Sequence, residues 1–345
     1  MSRRRFLKIL ALGGAGAMVG GLATQRRVFA QQTAPRSATN RPTRIVMGGY
    51  SPSSTAFSLA LKRIGDRLKR RFGDEVDIKY VYNVLDIAYR EDDLNWMVDT
   101  GVLTLAYQSS GYFTPDVPDL GVADLPYLFA NTQAARAAFD GGFGQALAAT
   151  LEAGLNCRVL GYFEAGFSQF SNALRPVHAP PDMKGMRVRV RPSKVQARTF
   201  ELLGAVPKAM DLSEFTDALK ARTVDAQENP FPNTVTYGVQ KFHRFHTVTN
   251  QHYQSRQVFV HRPSFDAWPP QLQEEMRAAV RDAVAFQREL HLKEDNDAMA
   301  AIRNDGGEIV TLTAQQHEAF VRAVTPIYNE AQSQYPRGLL RLIGR

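Results

Sequence analysis

The 345-residue chain has a single cysteine, Cys157. One thiol makes no intramolecular disulfide, no thiolate metal cluster and no CxxC redox pair, and a buried strand residue is its expected role. The seven histidines include no HExxH pair, and His243 and His246, three residues apart, are not read as a metal site. The Gly-rich phosphate loop, the GxSxG nucleophile elbow and any complete nucleophile–base arrangement are also missing. Neither catalysis nor a cofactor or metal is therefore expected, and no internal repeat is visible. Long apolar runs are equally scarce. The longest, Ile9 to Ala23, spans roughly 15 Gly-rich residues, short of the about 20 that a membrane-spanning helix requires.

Acidic residues are absent from the first 30 positions, which carry Arg3, Arg4, Arg5, Lys8, Arg26 and Arg27. The whole chain has 42 basic and 34 acidic residues, a formal charge of +8. Removing those six basic residues leaves only +2 on the remainder, so the basic balance belongs to the N-terminus and no nucleic-acid face is expected. A basic start, an apolar run and small residues before a cleavage point are the parts of a secretory signal. Ser2-Arg3-Arg4-Arg5-Phe6-Leu7-Lys8 matches the twin-arginine consensus. Val28-Phe29-Ala30 fits a signal-peptidase site. The sequence thus predicts a twin-arginine signal over 1–30, a periplasmic destination and a flexible polar segment over 31–42.

With 44% hydrophobic residues, the chain can bury more than one compact core. Strand and helix signals alternate. A β-prone run at Thr43–Met47 leads through Gly48-Gly49 to a Ser53-Ser54-Thr55 N-cap and the helical spacing of Phe57, Leu61, Ile64 and Leu68. Strands are predicted at 76–81, 102–107, 157–163 and 186–190, and helices at 93–99, 134–151, 194–203 and 213–220, the last capped by Ser213. This alternation predicts an α/β fold with mainly parallel sheet in two lobes. From Leu272, helical spacing continues through Met276, Val280, Val284, Leu290, Met299 and Ile302, with Gln287 as an exception. A helix this long can bridge the lobes.

Several segments in fixed order carry a resemblance. They are Asp182-Met183-Lys184-Gly185-Met186-Arg187-Val188-Arg189-Val190, Leu203-Gly204-Ala205-Val206-Pro207, Leu212-Ser213-Glu214-Phe215, Ala218-Leu219-Lys220 and Val224-Asp225-Ala226-Gln227-Glu228-Asn229-Pro230. With Asp124-Leu125-Pro126-Tyr127-Leu128-Phe129 and Leu160-Gly161-Tyr162 followed by Gly166-Phe167, they span the chain from about residue 43 onward. Together they resemble the substrate-binding subunits of TRAP transporters, the DctP family. The resemblance implies a type II-like, two-lobed periplasmic binding protein fold with a cleft between the lobes. It also implies capture of a small organic acid and its delivery to the small and large membrane subunits of the transporter. Lobe I is expected over 43–165 plus about 255–294, and lobe II over 166–254 plus about 295–345, in a monomer.

Alternation along a strand puts Arg187, Arg189 and Arg191 on one face. The resemblance assigns the ligand carboxylate to Arg189, whose planar guanidinium grips such a group bidentately. Arg187 and Arg191 are read as a solvated face. Asn229 stands where the family places a second ligand contact, the other reading being a cap for the helix beyond Pro230. Many relatives carry another arginine just after the Gly-Phe pair, whereas this chain has Ser168 or Gln169 there. Leu212 replaces an aromatic residue found in some relatives. Both departures favour a monocarboxylate with an apolar or aromatic body over a dicarboxylate held by two arginines. Tyr50, Tyr107 and Gln108, at strand ends of the first lobe, and Phe167 are further candidates for the cleft, with packing as the alternative role. A ligand sensor for a membrane receptor, or an exported enzyme, are the competing functions.

Overall fold

The computed structural model describes residues 41–344. The twin-arginine stretch, the cleavage point and residues 31–40 lie outside the described residues. The first sheet holds β1 (Thr43–Gly48), β2 (Val76–Val81), β3 (Leu105–Ser109), β4 (Cys157–Phe167) and β10 (Tyr253–His261), in the order β2-β1-β3-β10-β4. The second holds β5 (Gln169–Asn172), β6 (Arg187–Val190), β7 (Val206–Ala209), β8 (Ala226–Asn229), β9 (Phe245–Val248) and β11 (Glu308–Thr311), in the order β11-β9-β5-β8-β6-β7.

Helices α1 (Ala56–Phe72), α2 (Asp93–Asp99), α3 (Ser110–Phe113), α4 (Thr132–Asp140) and α5 (Gly142–Gly154) accompany the first sheet. Next come α6 (Lys194–Leu202), α7 (Leu212–Lys220) and α8 (Phe231–Thr236), then α9 (Arg262–Asp266), α10 (Pro270–Asn304), α11 (Ala314–Val324), α12 (Pro326–Gln334) and α13 (Arg337–Leu342). The result is an α/β molecule of two lobes, one around each sheet.

The sheets are mixed rather than mainly parallel. β1 pairs in parallel with β2 and β3, but β10 lies antiparallel between β3 and β4. The reason is the path of the chain. β4 leaves the first lobe and β10 returns to it, so the outgoing and returning strands must run in opposite directions. In the second sheet β5 is antiparallel to β8 and β9 for the same reason.

Local chemistry accounts for other departures from the sequence reading. The helix expected over 134–151 is two helices broken at Gly141, whose backbone is extended. Three glycines at 141, 142 and 144 weaken helix continuity. At Gly144 a Cβ would sit 1.8 Å from the Phe139 carbonyl oxygen, so the close packing of the two turns admits only glycine. The cap of α7 is Asp211, which accepts from the Ser213 amide at 2.8 Å, rather than Ser213 itself. Thr55 caps α1 as the sequence suggests.

The 35-residue α10 is the expected bridging helix. Its early turns pack on α1 and β4, its later turns on α8 and β11. Gln287, the exception in its apolar spacing, is fully buried. Its Nε2 donates to the Glu164 carbonyl at 2.7 Å, and its Oε1 accepts from the Glu164 amide at 2.8 Å. Those groups are free because β4 bulges between its partners Gln254 and Ser255 of β10. The tail serves both lobes. Phe320 and Val324 enter the smaller apolar cluster, whereas Ile327, Ala331, Leu339 and Leu340 join the larger one, to which residues of both lobes contribute.

Candidate functional site

In α/β sheets, side chains at the carboxyl ends of parallel strands face the crevice. β1 ends at Gly48-Gly49-Tyr50, and β3 delivers Tyr107. The Tyr50 amide donates to the Tyr107 hydroxyl at 3.4 Å. The ring of Tyr107 stacks on Phe57 at the start of α1, 5.2 Å between centroids, and lies 5.2 Å from Tyr50. Gly49 is required by this packing, since a Cβ there would stand 2.5 Å from the Tyr107 ring. Tyr50 and Tyr107 are fully buried, and the Tyr50 hydroxyl has no partner. Burial raises the Tyr50 phenol well above its usual range and pushes Tyr107 up to about 12, so both stay protonated donors at neutral pH.

From the second lobe, Arg189 projects out of β6 and is 3% exposed. Its Nη2 donates to the Tyr112 hydroxyl at 3.0 Å and to the Met210 carbonyl at 3.1 Å. The guanidinium lies 5.1 Å above the Phe215 ring centroid, and its Nε is buried without an acceptor. A guanidinium with a free edge in a dry site is an anion receptor. Tyr112 belongs to the first lobe, so Arg189 also ties the lobes together. Tyr112 is hydrogen-bonded to Glu91 as well, giving an Arg189–Tyr112–Glu91 chain. The Glu91 carboxyl is pushed up to about 7, chiefly by burial and then by Asp211.

Asp211 fastens the lobes at another point. Its two oxygens accept from the Glu91 and Asp92 amides, each at 3.2 Å, while it caps α7. Beside it, Arg90 Nη1 donates to Glu214 Oε1 at 2.6 Å. Arg191, expected on a solvated face, is instead buried at the junction. It donates from Nη1 to Ser109 Oγ at 2.5 Å and Gln254 Oε1 at 2.9 Å, and from Nη2 to Asp124 Oδ1 at 3.4 Å. The position lies one residue past β6, where the chain turns into the contact between lobes. Arg187 does face solvent, paired with Asp225 at 2.5 Å.

The remaining sequence candidates are distributed unevenly. Asn229 is buried, donating to Gln227 Oε1 at 2.7 Å and accepting from Asn233 at 3.4 Å; it makes no cap for α8. Gln108 is spent on structure: Nε2 donates to the Glu91 carbonyl at 2.8 Å and Oε1 accepts from the Ser109 amide at 2.7 Å. Ser168 Oγ accepts from Gln254 Nε2 at 2.5 Å. Gln169 is clasped to Asn250 in both directions, at 2.8 and 3.1 Å. Both therefore join the outgoing strand to the returning segment. Phe167 packs its ring 5.2 Å from Tyr253. Leu212, at the start of α7, is buried in the larger apolar cluster, to which residues of both lobes contribute.

Sequence reasoning missed Glu91, Tyr112, Asp211 and Arg256. Arg256 sits in the middle of β10, opposite Ser109 on β3 and Phe163 on β4. An arginine inside the strand run Tyr-Gln-Ser-Arg-Gln-Val-Phe-Val was the available signal, because a fully paired central strand gives its side chains little access to water.

These features define the class: a two-lobed α/β protein with a buried guanidinium and aromatic rings where the lobes meet. Residues 47–334 match the DctP family, bacterial extracellular solute-binding protein, family 7. The chain belongs to that family. A protein of Haemophilus influenzae without an assigned role is 32% identical over 266 residues, 76% of this chain and 79% of its own length. The 2,3-diketo-L-gulonate-binding periplasmic protein YiaO of Escherichia coli is 28% identical over 264 residues, 76% of this chain and 80% of its own. The sugar acid binding protein DctPAm of Advenella mimigardefordensis, solved with galactonate, shares the fold with a TM-score of 0.83 at 23% identity, over 88% of this chain and 98% of its own.

Proposed function

We propose that this chain is the periplasmic solute-binding subunit of a TRAP transporter, exported by the twin-arginine pathway. It captures a small organic acid by lobe closure and presents it to the membrane subunits. The observation that carries this reading is Arg189, buried between the lobes with its Nε lacking an acceptor. A carboxylate is the anion that completes a guanidinium fork. Closure follows because groups from both lobes, Arg189 from one and Tyr50 and Tyr107 from the other, would contact the ligand only when the cleft is shut. A ligand shifts such an equilibrium by its differential affinity for the two forms. The galactonate bound by DctPAm and the diketogulonate named for YiaO are organic acids, which agrees with this class of ligand. No group in the cleft is assigned a chemical step.

The test is expression of the full chain in a host with a twin-arginine pathway, recovery from the periplasmic fraction, and calorimetric titration with a panel of organic acids. The wild type should bind at least one. Arg189→Met should weaken binding by about 3 to 5 kcal/mol, because the carboxylate then stays buried and unpaired. Unchanged affinity in that variant, or protein retained in the cytoplasm, would remove the corresponding part of the proposal.

A further inference from the structure

Asp211 is fully buried, and its carboxylate accepts from three backbone amides. One, the Ser213 amide at 2.8 Å, belongs to its own lobe and is the capping bond of α7. The other two, those of Glu91 and Asp92 at 3.2 Å each, belong to the opposite lobe, in the turn that leads into α2. That turn has no cap of its own, since the Asp92 side chain makes no capping hydrogen bond. Separating the lobes therefore strands two backbone amides on one side and removes two of three donors from a buried carboxylate on the other. Both amides are carried on one turn and both acceptors on one side chain, so the two bonds form and break together.

The proposed ligand anchor is next to this contact. Arg189 Nη2 donates to the carbonyl of Met210, the residue before Asp211, and to the Tyr112 hydroxyl. Tyr112 is in turn hydrogen-bonded to Glu91. A ring thus runs from Arg189 through Met210 and Asp211 to Glu91 and back through Tyr112, crossing the lobe boundary twice. Gln108 holds the Glu91 carbonyl at 2.8 Å and so fixes the turn on the first lobe. The neighbouring Arg90–Glu214 pair also spans the lobes, but both partners are about half exposed, and such a pair contributes little.

We infer that Asp211 is the latch of the closed form, a positioning residue that sets how long the lobes stay shut on a bound acid by accepting the Glu91 and Asp92 amides. This rests on the lobe-closure reading above. The ligand enters the open form before the latch is made, so losing the latch leaves association unchanged and speeds dissociation. A residue that only capped α7 would affect the stability of its own lobe and neither rate constant.

The experiment is stopped-flow binding of galactonate, glucuronate and succinate to the full chain, purified as the host processes it, in wild type and two variants. Asp211→Ser keeps a residue that caps α7 but is too short to reach the opposite lobe. Asp211→Asn keeps the shape and one acceptor but turns the other oxygen into a donor facing an amide. In both, the acid that binds best should dissociate about 10- to 100-fold faster, the size expected for lost hydrogen bonds to a charged group, with association within about threefold of wild type. Arg90→Gln should change neither rate constant by more than about threefold. In the wild type alone, the Glu91 and Asp92 amides should exchange with solvent at least about 10-fold more slowly when the acid is bound. An unchanged dissociation rate in both variants, or a loss of affinity that comes through association, overturns the latch while leaving the closure reading intact. Unchanged exchange of the two amides on binding overturns it as well, and needs no variant to fold. If the wild type binds none of the three acids, the organic-acid reading falls and this inference with it.

Discussion

At the scale of single residues, the contact between the lobes holds groups whose ordinary state in water is unavailable to them. Glu91 illustrates the consequence. Its folded pKa of about 7 exceeds the usual carboxyl value of 4.5 because burial, and then Asp211, disfavour the anion. The folded protein therefore binds more protons here than the unfolded chain between those values. This group's contribution is fully present below about pH 4.5 and is lost as pH rises through about 7. The total is on the order of 3 kcal/mol at 1.36 kcal/mol per pH unit. Buried His243 and His246, lowered to about 3 and about 4 by burial, act in the opposite direction. The measurement is therefore the difference in unfolding free energy between wild type and Glu91→Gln from pH 4 to pH 8. That difference should change in the variant's favour as pH rises, and a flat difference would contradict the assignment.

At the scale of elements, the two lobes are joined by side chains that occupy backbone groups as well as each other. Gln287 of α10 satisfies both the amide and the carbonyl of Glu164 at the β4 bulge. Gln287→Leu keeps the volume but strands two buried backbone groups, each a loss of about 1 to 3 kcal/mol. We expect destabilisation by about 3 kcal/mol in denaturant unfolding, with faster exchange of the Glu164 amide. A variant within 0.5 kcal/mol of wild type would place water at the bulge. Much of this level is legible in sequence. Phe57, Leu61, Ile64 and Leu68 give α1 correctly, and Leu212-Ser213-Glu214-Phe215 gives α7 within one residue. The break at Gly141 was missed because the apolar spacing continues across it. Gln287 looked like an error in a pattern and proves to be a contact across elements.

At the scale of the whole molecule, binding and stability are linked. A ligand that closes the lobes on Arg189 and the tyrosines binds the folded protein alone. At a thousandfold its dissociation constant it should add about 4 kcal/mol to the unfolding free energy. X-ray scattering should show a smaller radius of gyration with ligand than without, and Arg189→Met should show neither effect. Stabilisation without compaction would mean that the ligand sits on one lobe only.

The sequence by itself determined the alternation of strands and helices, the position of Arg189 and the membership of a family. Those follow from short-range periodicity and from motifs whose parts lie near one another in the chain. Only the tertiary structure decided which polar groups are buried where the lobes meet. Arg191, read as solvated, lies buried at the lobe contact, and Gln108, read as a ligand contact, holds the Glu91 loop. Arg256 is buried on β10, a strand placed beside β3 only after the chain has crossed to the second lobe and returned. A side chain's exposure and free hydrogen-bonding capacity depend on neighbours distant in sequence, and periodicity along the chain carries no information about them.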